Sequence, residues 1–168
     1  MPSVELRSLT VDDATTLASW AADEHFCRVA GWTLGRSVAE HRATFCRRLE
    51  SAPDLIRLGA THDGELVGYV DLHGEEPGRR ELGYLVGPRA RWGQGLGLAV
   101  ARAGLRHGFE VLGLRTIWAE AVDANVPSVR ILQRLGMTET GWGDAATHLD
   151  RPTRYRRFEI TVEEYDRG

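Results

Sequence analysis

The chain has 168 residues, 42% hydrophobic and 27% charged, which predicts one folded domain, residues 1–168, with its own hydrophobic core. Its net charge of −3 argues against nucleic-acid binding, which needs a basic surface, and its two cysteines are too few for a disulfide framework or a zinc site. Because no apolar run approaches the roughly 20 residues that span a bilayer, we expect a cytoplasmic protein that binds no metal, membrane or nucleic acid.

The first third of the chain predicts a strand and two helices. Residues 4–9 alternate between apolar and polar side chains, as a strand does. Capping boxes, each a hydroxyl residue followed three positions later by an acid, open helices at Thr10 and Ser37. The glycine-punctuated connection between the helices, residues 23–36, is predicted to be a structured loop. The second helix is expected to reach about Leu49 and to be ended by residues 51–54.

Three strands are predicted next, joined by two turns. Asp63-Gly64 is a strong two-residue turn signal, so residues 55–60 and 65–73 form a hairpin. A second, polar turn then leads into a strand over residues 81–86. Three antiparallel strands therefore precede the centre of the chain.

A glycine loop, Trp92–Gly97, follows that strand and opens a long apolar-striped helix. Glycines let backbone amides approach an anion, and a helix N-terminus favours negative charge, so the loop predicts a phosphate cradle. A P-loop would need lysine, which the chain lacks. The dinucleotide fingerprint fails too, because counting from Gly93 or Gly95 leaves no glycine in its sixth place.

The last third predicts a strand at 115–122, a short helix and two more strands. Asn125 and Pro127 open the helix, and Gly136 is placed to end it. Residues 137–142 and 153–161 are predicted strands, and Thr161 begins a closing helical turn.

These motifs resemble the GNAT superfamily of N-acetyltransferases, which bind acetyl-coenzyme A (acetyl-CoA). Gly95-x-Gly97 matches the second half of their pyrophosphate loop, while Trp92 stands in its first place. A Trp-Gly-x-Gly loop is typical of the ribosomal-protein N-terminal acetyltransferase branch. The same branch carries the patterns found here as Glu81-x-Gly83-Tyr84, Asn125-x-x-Ser128 and Leu135-Gly136.

The resemblance implies an α+β sandwich, the GNAT fold, with a mixed, mostly antiparallel central sheet flanked by helices. The strands around Glu81 and Trp118 would lie side by side and diverge around acetyl-CoA. Arg89 and Arg91 are either phosphate contacts or solvated loop charges. The residues expected to contact the cofactor are Leu85, Val86, Arg91, Trp92, Gly93, Gln94, Gly95, Leu96, Gly97, Leu98, Asn125 and Ser128.

Two residues are the expected catalytic groups. Glu81 is the best candidate for the base that takes a proton from the incoming amine, with Glu120 and His73 as second choices; the competing interpretation pairs Glu81 with Arg79 or Arg80. Ser128 would protonate the departing thiolate, or else it only caps its helix. Many relatives place a tyrosine acid where this chain has Leu132, so Ser128, Tyr84 or water must serve instead.

The resemblance therefore implies an acetyl-CoA-dependent N-acetyltransferase. The acceptor would be a primary amine, either a protein N-terminus or a small molecule, and the protein could form a homodimer. The alternative is an acyl-CoA-binding domain that has lost its chemistry. Candidate walls for the acceptor are His25, Phe26, Trp32 and residues 142–151.

Overall fold

One seven-stranded sheet organises the protein, for which a computed structural model describes residues 1–50 and 52–168. The strands are β1 (Glu5–Arg7), β2 (Leu55–His62), β3 (Glu65–His73), β4 (Arg79–Val86), β5 (Thr116–Val122), β6 (Thr138–His148) and β7 (Arg151–Thr161). Their order across the sheet is β1-β2-β3-β4-β5-β7-β6. Only the β4–β5 pair is parallel. The predicted mixed, mostly antiparallel sheet is confirmed.

In the described residues, six α-helices cover the two faces of this sheet. They are α1 (Val11–Ser19), α2 (Glu24–Ala30), α3 (Val38–Cys46), α4 (Leu96–Arg106), α5 (Val126–Arg134) and α6 (Val162–Tyr165). Short 3₁₀ turns occupy Trp20–Ala22 and Arg89–Arg91, and α4 continues into a π-helical segment, His107–Val111. Within the described part of the chain, no helix has the length and apolar composition to cross a membrane.

Local capping explains where the helices begin. The side chains of Thr10, Ser37 and Thr161 each accept a hydrogen bond from the backbone N–H of the residue three positions later. The acidic side chain at that later position accepts a hydrogen bond from the backbone N–H of the capping residue. The predicted helix starts are therefore confirmed. The predicted hairpin is confirmed as well, because Asp63 and Gly64 form its two-residue turn with φ of 50° and 79°.

The expectation of a loop throughout residues 23–36 is wrong, because α2 lies within it. The Asp23 side chain accepts the N–H of Phe26, and Gly31 ends the helix with φ of 71°. Seven residues are too few to show a clear apolar stripe, which is why periodicity missed the helix. In addition, α3 ends at Cys46, short of Leu49; Ser51, expected in the breaker segment, lies outside the described residues.

Two hydrophobic clusters lie on opposite faces of the sheet. Leu17, Phe26 and Phe45 pack beneath α1, α2 and α3. On the other face α4 and α5 cover a larger cluster that includes Leu132 and Phe158. The central strands are thus buried on both sides, as the middle layer of a sandwich.

The parallel pairing between β4 and β5 covers three residue pairs only. It starts at Arg79 opposite Thr116 and stops at Glu81 opposite Trp118. Beyond this point β4 stays paired with β3, and β5 stays paired with β7. Residues 82–86 and 119–122 therefore face each other unpaired, and we call the space between them the β4–β5 opening.

Asp13 joins β1 to α1 and should make stability depend on pH. Its carboxylate accepts hydrogen bonds from the two terminal guanidinium nitrogens of Arg7, at 2.5 and 2.9 Å, and from the backbone N–H of Thr10 at 2.8 Å. The hydrogen bond from Arg7 is the main reason why the pKa of Asp13 is lowered. A lowered pKa in the folded state gives stability that is present above the unfolded-state pKa and lost as the pH falls.

We therefore expect Asp13→Asn to reduce the free energy of unfolding by about 1–3 kcal/mol at neutral pH. The deficit should shrink as the pH falls below about 4, the unfolded-state value for Asp. Urea unfolding across the pH range measures it. Glu164→Gln is the matched control, since that exposed capping acid accepts, among the described residues, just the Thr161 N–H. A deficit that stays constant down to low pH would contradict this account.

Candidate active site

The β4 side chains alternate between the two faces beside the β4–β5 opening. Leu82, Tyr84 and Val86 join the cluster under α4 and α5. Leu85 joins the cluster under α1–α3, and the alternation places Glu81 and Gly83 on that same face. One strand thus presents different chemical groups to the two sides of the opening.

The glycine loop connects β4 to α4 in a conformation that requires glycine. Gly93 and Gly95 have φ of 77° and 82°, where a side chain would be strained. Gly95 caps α4, and in the described chain no side chain makes a capping hydrogen bond there; the Pro2 ring lies beside Gly95, 3.5 Å from where a Cβ would be. Gly97 has a different role: a Cβ there would lie 2.8 Å from Ile131, so this glycine lets α4 pack closely on α5.

Trp92 holds the loop against the end of β4. Its indole N–H donates to the Val86 carbonyl at 2.8 Å, and its ring stacks on Phe26 with 5.8 Å between centroids. The backbone groups of Val86 are expected to contact the cofactor. Its carbonyl, however, already accepts a hydrogen bond from Trp92 within the protein. Sequence reasoning missed this contact, since nothing in the spacing links Trp92 to α2.

Two arginines flank the loop and both make ion pairs. Arg89 donates to Asp23 at 2.6 Å, and Arg91 pairs with Glu65. The sequence left two roles open for these arginines, phosphate contact or solvated charge. The ion pairs indicate a third role, in which Arg89 anchors the loop to α2 and Arg91 anchors it to the β2–β3 hairpin.

Tyr84 and Ser128 meet on the α5 side of the β4–β5 opening. The two hydroxyl oxygens are 3.0 Å apart, and the Tyr84 hydroxyl also lies 3.3 Å from the Ser128 carbonyl. Burial raises the pKa of Tyr84 to about 12, so the phenol keeps its proton at neutral pH. Asn125 caps α5 by accepting the Ser128 N–H at 3.4 Å, which positions this residue. Leu132, where many relatives have an acid, is fully buried.

Glu81 is a half-buried carboxylate without a protein partner in the described part of the chain. Arg79 bonds to Glu159 and Glu76, and Arg80 donates to two backbone carbonyls, so the pairing of Glu81 with either arginine is wrong. Burial is the main cause that raises the pKa of Glu81, and the nearby Glu120 raises it further.

The other two carboxylates near Glu81 are neutralised by arginine. Arg57 forks onto Asp71 with both contacts at 2.6 Å, and Arg157 donates to Glu120 at 2.9 Å. Glu120, the second candidate base, is therefore committed to an ion pair. His73, the third candidate, lies directly opposite Glu81 on β3 and is exposed.

A cavity of about 630 Å³ opens on the face of the sheet that carries Glu81. This Glu81 cavity has the size of a small-molecule site. Its walls come from the segment between α3 and β2 and from strands β2, β3 and β4. The described lining residues are Arg47, Arg48, Glu50, Ala52, Asp54, Leu55, Arg57, Asp71, His73, Glu81 and Gly83.

The acceptor walls predicted from sequence do not line this cavity. Phe26 is completely buried, and Trp32 packs against it and against Phe45. These aromatic residues form the core beneath α1–α3. Most of the lining residues actually present are charged, and five of the eleven lie in an irregular segment, for which the sequence offered no periodic signal.

Comparison with known proteins places this geometry among acetyltransferases. The family model described as "Acetyltransferase (GNAT) domain" matches residues 3–138. A curated relative, the uncharacterized N-acetyltransferase p20 of Bacillus licheniformis, is 25% identical over 142 residues, covering 81% of this chain and 79% of the relative.

Two solved structures show the same fold at low identity. Spermidine N-acetyltransferase from Vibrio cholerae, in complex with CoA and spermine, superimposes with a TM-score of 0.82 at 17% identity, covering 97% of this chain and 98% of that one. Aminoglycoside acetyltransferase AAC(6')-Ib, in complex with coenzyme A, has a TM-score of 0.78 at 22% identity and covers 99% of both chains. The predicted GNAT fold is confirmed.

The Tyr84–Ser128 contact can be tested by a double-mutant cycle on stability. In Ser128→Ala the Tyr84 hydroxyl keeps the backbone carbonyl as acceptor, whereas Tyr84→Phe removes both contacts. We expect Tyr84→Phe to be the costlier change and the coupling energy to be about 0.5–1.5 kcal/mol by urea unfolding. Tyr155→Phe is the control, because that hydroxyl has no bonding partner in the described chain. Strict additivity of the two changes would argue against the contact.

Proposed function

The chain belongs to the GNAT acetyltransferase family, and from that premise we propose that it transfers an acetyl group from acetyl-CoA to a primary amine bound beside Glu81. The observation that carries this proposal is the unpaired, half-buried Glu81 carboxylate at the point where β4 leaves β5. A raised pKa in a cavity is typical of a group that exchanges protons.

The residues present suit acetyl-CoA. The positive φ of Gly93 and Gly95 opens the loop backbone, and the N-terminus of α4 lies directly behind it without a side-chain capping hydrogen bond in the described chain, a combination that favours phosphate. The β4–β5 opening leaves strand edges unpaired, which suits an extended arm. When bound, acetyl-CoA supplies an acetyl group activated as a thioester.

We assign cofactor contacts to three parts of the chain. The glycine loop and the start of α4 (Trp92–Leu98) would hold the pyrophosphate through backbone amides. Leu85 and the Val86 N–H would face the extended arm, with Asn125 across the opening. Arg91 would contact a cofactor phosphate only if its ion pair with Glu65 broke.

Glu81 is proposed as the base that prepares the amine. A primary amine arrives mostly as an ammonium ion, and only its neutral form has the free electron pair needed for attack. The raised pKa of Glu81 brings it closer to neutral pH, where a carboxylate accepts a proton more effectively than at its ordinary pKa. The proton then passes from Glu81 to solvent.

Ser128 is proposed as the proton donor to the leaving group, supported by Tyr84. If the Tyr84 hydroxyl donates to Ser128 Oγ, the serine proton is free to point into the β4–β5 opening. The high pKa of Tyr84 keeps this pair protonated at neutral pH. This assignment supplies the donor that Leu132 cannot provide.

The acceptor is proposed to be a primary amine of one of two kinds. Resemblance of the Trp92 loop to the ribosomal-protein N-terminal acetyltransferase branch favours a protein N-terminus. The names of the structural neighbours, which act on aminoglycosides and spermidine, favour a small molecule. The size of the Glu81 cavity accommodates either a small amine or the first residues of a peptide.

Substitution of Glu81 by Gln tests the function directly. We expect acetyl-CoA-dependent thiol release to fall about 10²-fold, the usual contribution of a general base, while the affinity for CoA is unchanged. Glu159→Gln is the matched control, since Glu159 lies on β7 outside the cavity. Full activity in Glu81→Gln would remove Glu81 from the mechanism. Binding of CoA without turnover in the wild type, over a broad amine panel, would favour the degenerate binding domain.

The pH profile provides a second, independent test. Because the base works when deprotonated, wild-type kcat should fall as the pH drops through the raised pKa of Glu81. In Glu81→Gln this limb should vanish, and the residual rate should follow only deprotonation of the amine. An identical profile for the two proteins would contradict the assignment.

Gly93→Ala tests the phosphate cradle. An alanine at φ of 77° is strained by about 1–2 kcal/mol, and the loop should relax away from the cofactor. Gly113→Ala is the matched control, because both glycines have positive φ and open space around the missing Cβ. We expect a similar loss of stability in the two variants, but a weaker CoA affinity, by calorimetry, in Gly93→Ala alone. Equal CoA affinities would place the pyrophosphate elsewhere.

A further inference from the structure

The charges around the Glu81 cavity are almost completely balanced. Asp71 is neutralised by Arg57, and Glu120, just beyond the lining, is neutralised by Arg157. In the described chain, Glu81 has neither an ion pair nor a side-chain hydrogen bond. The inner part of the cavity thus carries one uncompensated carboxylate.

The segment between α3 and β2 lines the cavity with four further charges, and we call this solvent-facing side of the cavity its mouth. Arg47 and Arg48 are basic, and Glu50 and Asp54 are acidic. Among the residues that the structure describes, none of the four takes part in an ion pair, and Arg47 makes only a hydrogen bond to the Thr44 hydroxyl. The four charges sum to zero but remain available to a ligand.

The mouth and Glu81 are separated by a distance that a small amine can span. Leu55, next to Asp54, pairs with His73, and His73 pairs with Glu81. Two strand spacings of about 4.8 Å place Leu55, the residue next to the mouth charge Asp54, about 10 Å from Glu81. An acceptor whose amine lies at Glu81 would therefore present its far end, some six or seven bonds away, to the four mouth charges.

We infer that Arg47 and Arg48 determine acceptor specificity: their two positive charges balance the two negative charges of Glu50 and Asp54 at the mouth. The described lining residues then carry a net single negative charge, that of Glu81, so the cavity accepts amines with a single positive charge and does not favour polycations. The inference rests on the proposed function. A second ammonium group at the mouth meets equal numbers of positive and negative charges, so it gains no net attraction. Without the two arginines the same group would meet two unopposed carboxylates.

Three six-carbon amines that differ only at the far end test the inference: 6-amino-1-hexanol, 1,6-diaminohexane and 6-aminohexanoate. For the wild type we expect values of kcat/KM that agree within about threefold, because the mouth is neutral. For the double variant Arg47→Ala/Arg48→Ala, kcat/KM for the diamine should rise about tenfold relative to kcat/KM for the amino alcohol, and kcat/KM for 6-aminohexanoate should fall. The change should fade at high salt, since these charges are solvent-exposed.

Arg42→Ala is the matched control, because Arg42 is an exposed arginine of α3 that does not line the cavity. It should leave the ranking of the three amines unchanged, and all variants should keep the wild-type melting temperature. A wild-type preference for the diamine of tenfold or more would overturn the inference and leave the proposed function intact. An unaltered ranking in the double variant would overturn it too. Absence of turnover with these three amines in a wild type that acetylates another primary amine would overturn the inference alone. Absence of turnover over a broad panel of amines and peptides, while acetyl-CoA still raises the melting temperature, would overturn the proposed function and the inference together.

Discussion

The early end of the β4–β5 pairing is the constraint on which the rest of the site depends. Three residue pairs hold the two parallel strands together, and after Glu81 and Trp118 each strand follows its other neighbour. Backbone groups that a continuous sheet would satisfy internally need other partners there; the Val86 carbonyl finds one in the Trp92 indole, and in the proposed function the cofactor supplies others. The glycine loop closes one end of the opening, and α5 brings Ser128 to its side. Each proposed role therefore follows from strands that pair at one end only.

Much of the fold could be predicted because its signals are local. Capping boxes at Thr10, Ser37 and Thr161, the Asp63-Gly64 turn and the glycine loop each depend on a few adjacent residues, and all lie where the sequence indicated. The helix α2 was not predicted, because its seven residues between Asp23 and Gly31 carry capping signals at both ends but no clear apolar stripe. Its capping residues were nevertheless visible, so a search for paired caps would have found it.

The site was only partly predictable, since charge pairing depends on long-range register. The sequence indicated Glu81 as a candidate base but left Arg79 and Arg80 as its potential partners. The structure shows that Arg79 donates to Glu159 and that Arg80 donates to the Leu72 carbonyl. It also shows that Arg57 and Arg157 neutralise the two carboxylates near Glu81, those of Asp71 and Glu120. Likewise, nothing in the spacing of Arg47, Arg48 and Glu81 reveals that one cavity joins them.

The alternation of β4 has a consequence for the proton balance of the proposed reaction. Glu81 and Tyr84 are three residues apart on one pleated strand, so their side chains lie on opposite faces of the sheet, with the strand between them. The proton taken from the amine therefore cannot return directly to the leaving group. In each cycle Glu81 must release a proton to solvent on one face, and the Tyr84–Ser128 pair must recover one from the other. The sheet keeps these two proton exchanges apart, and each depends on its own route to water.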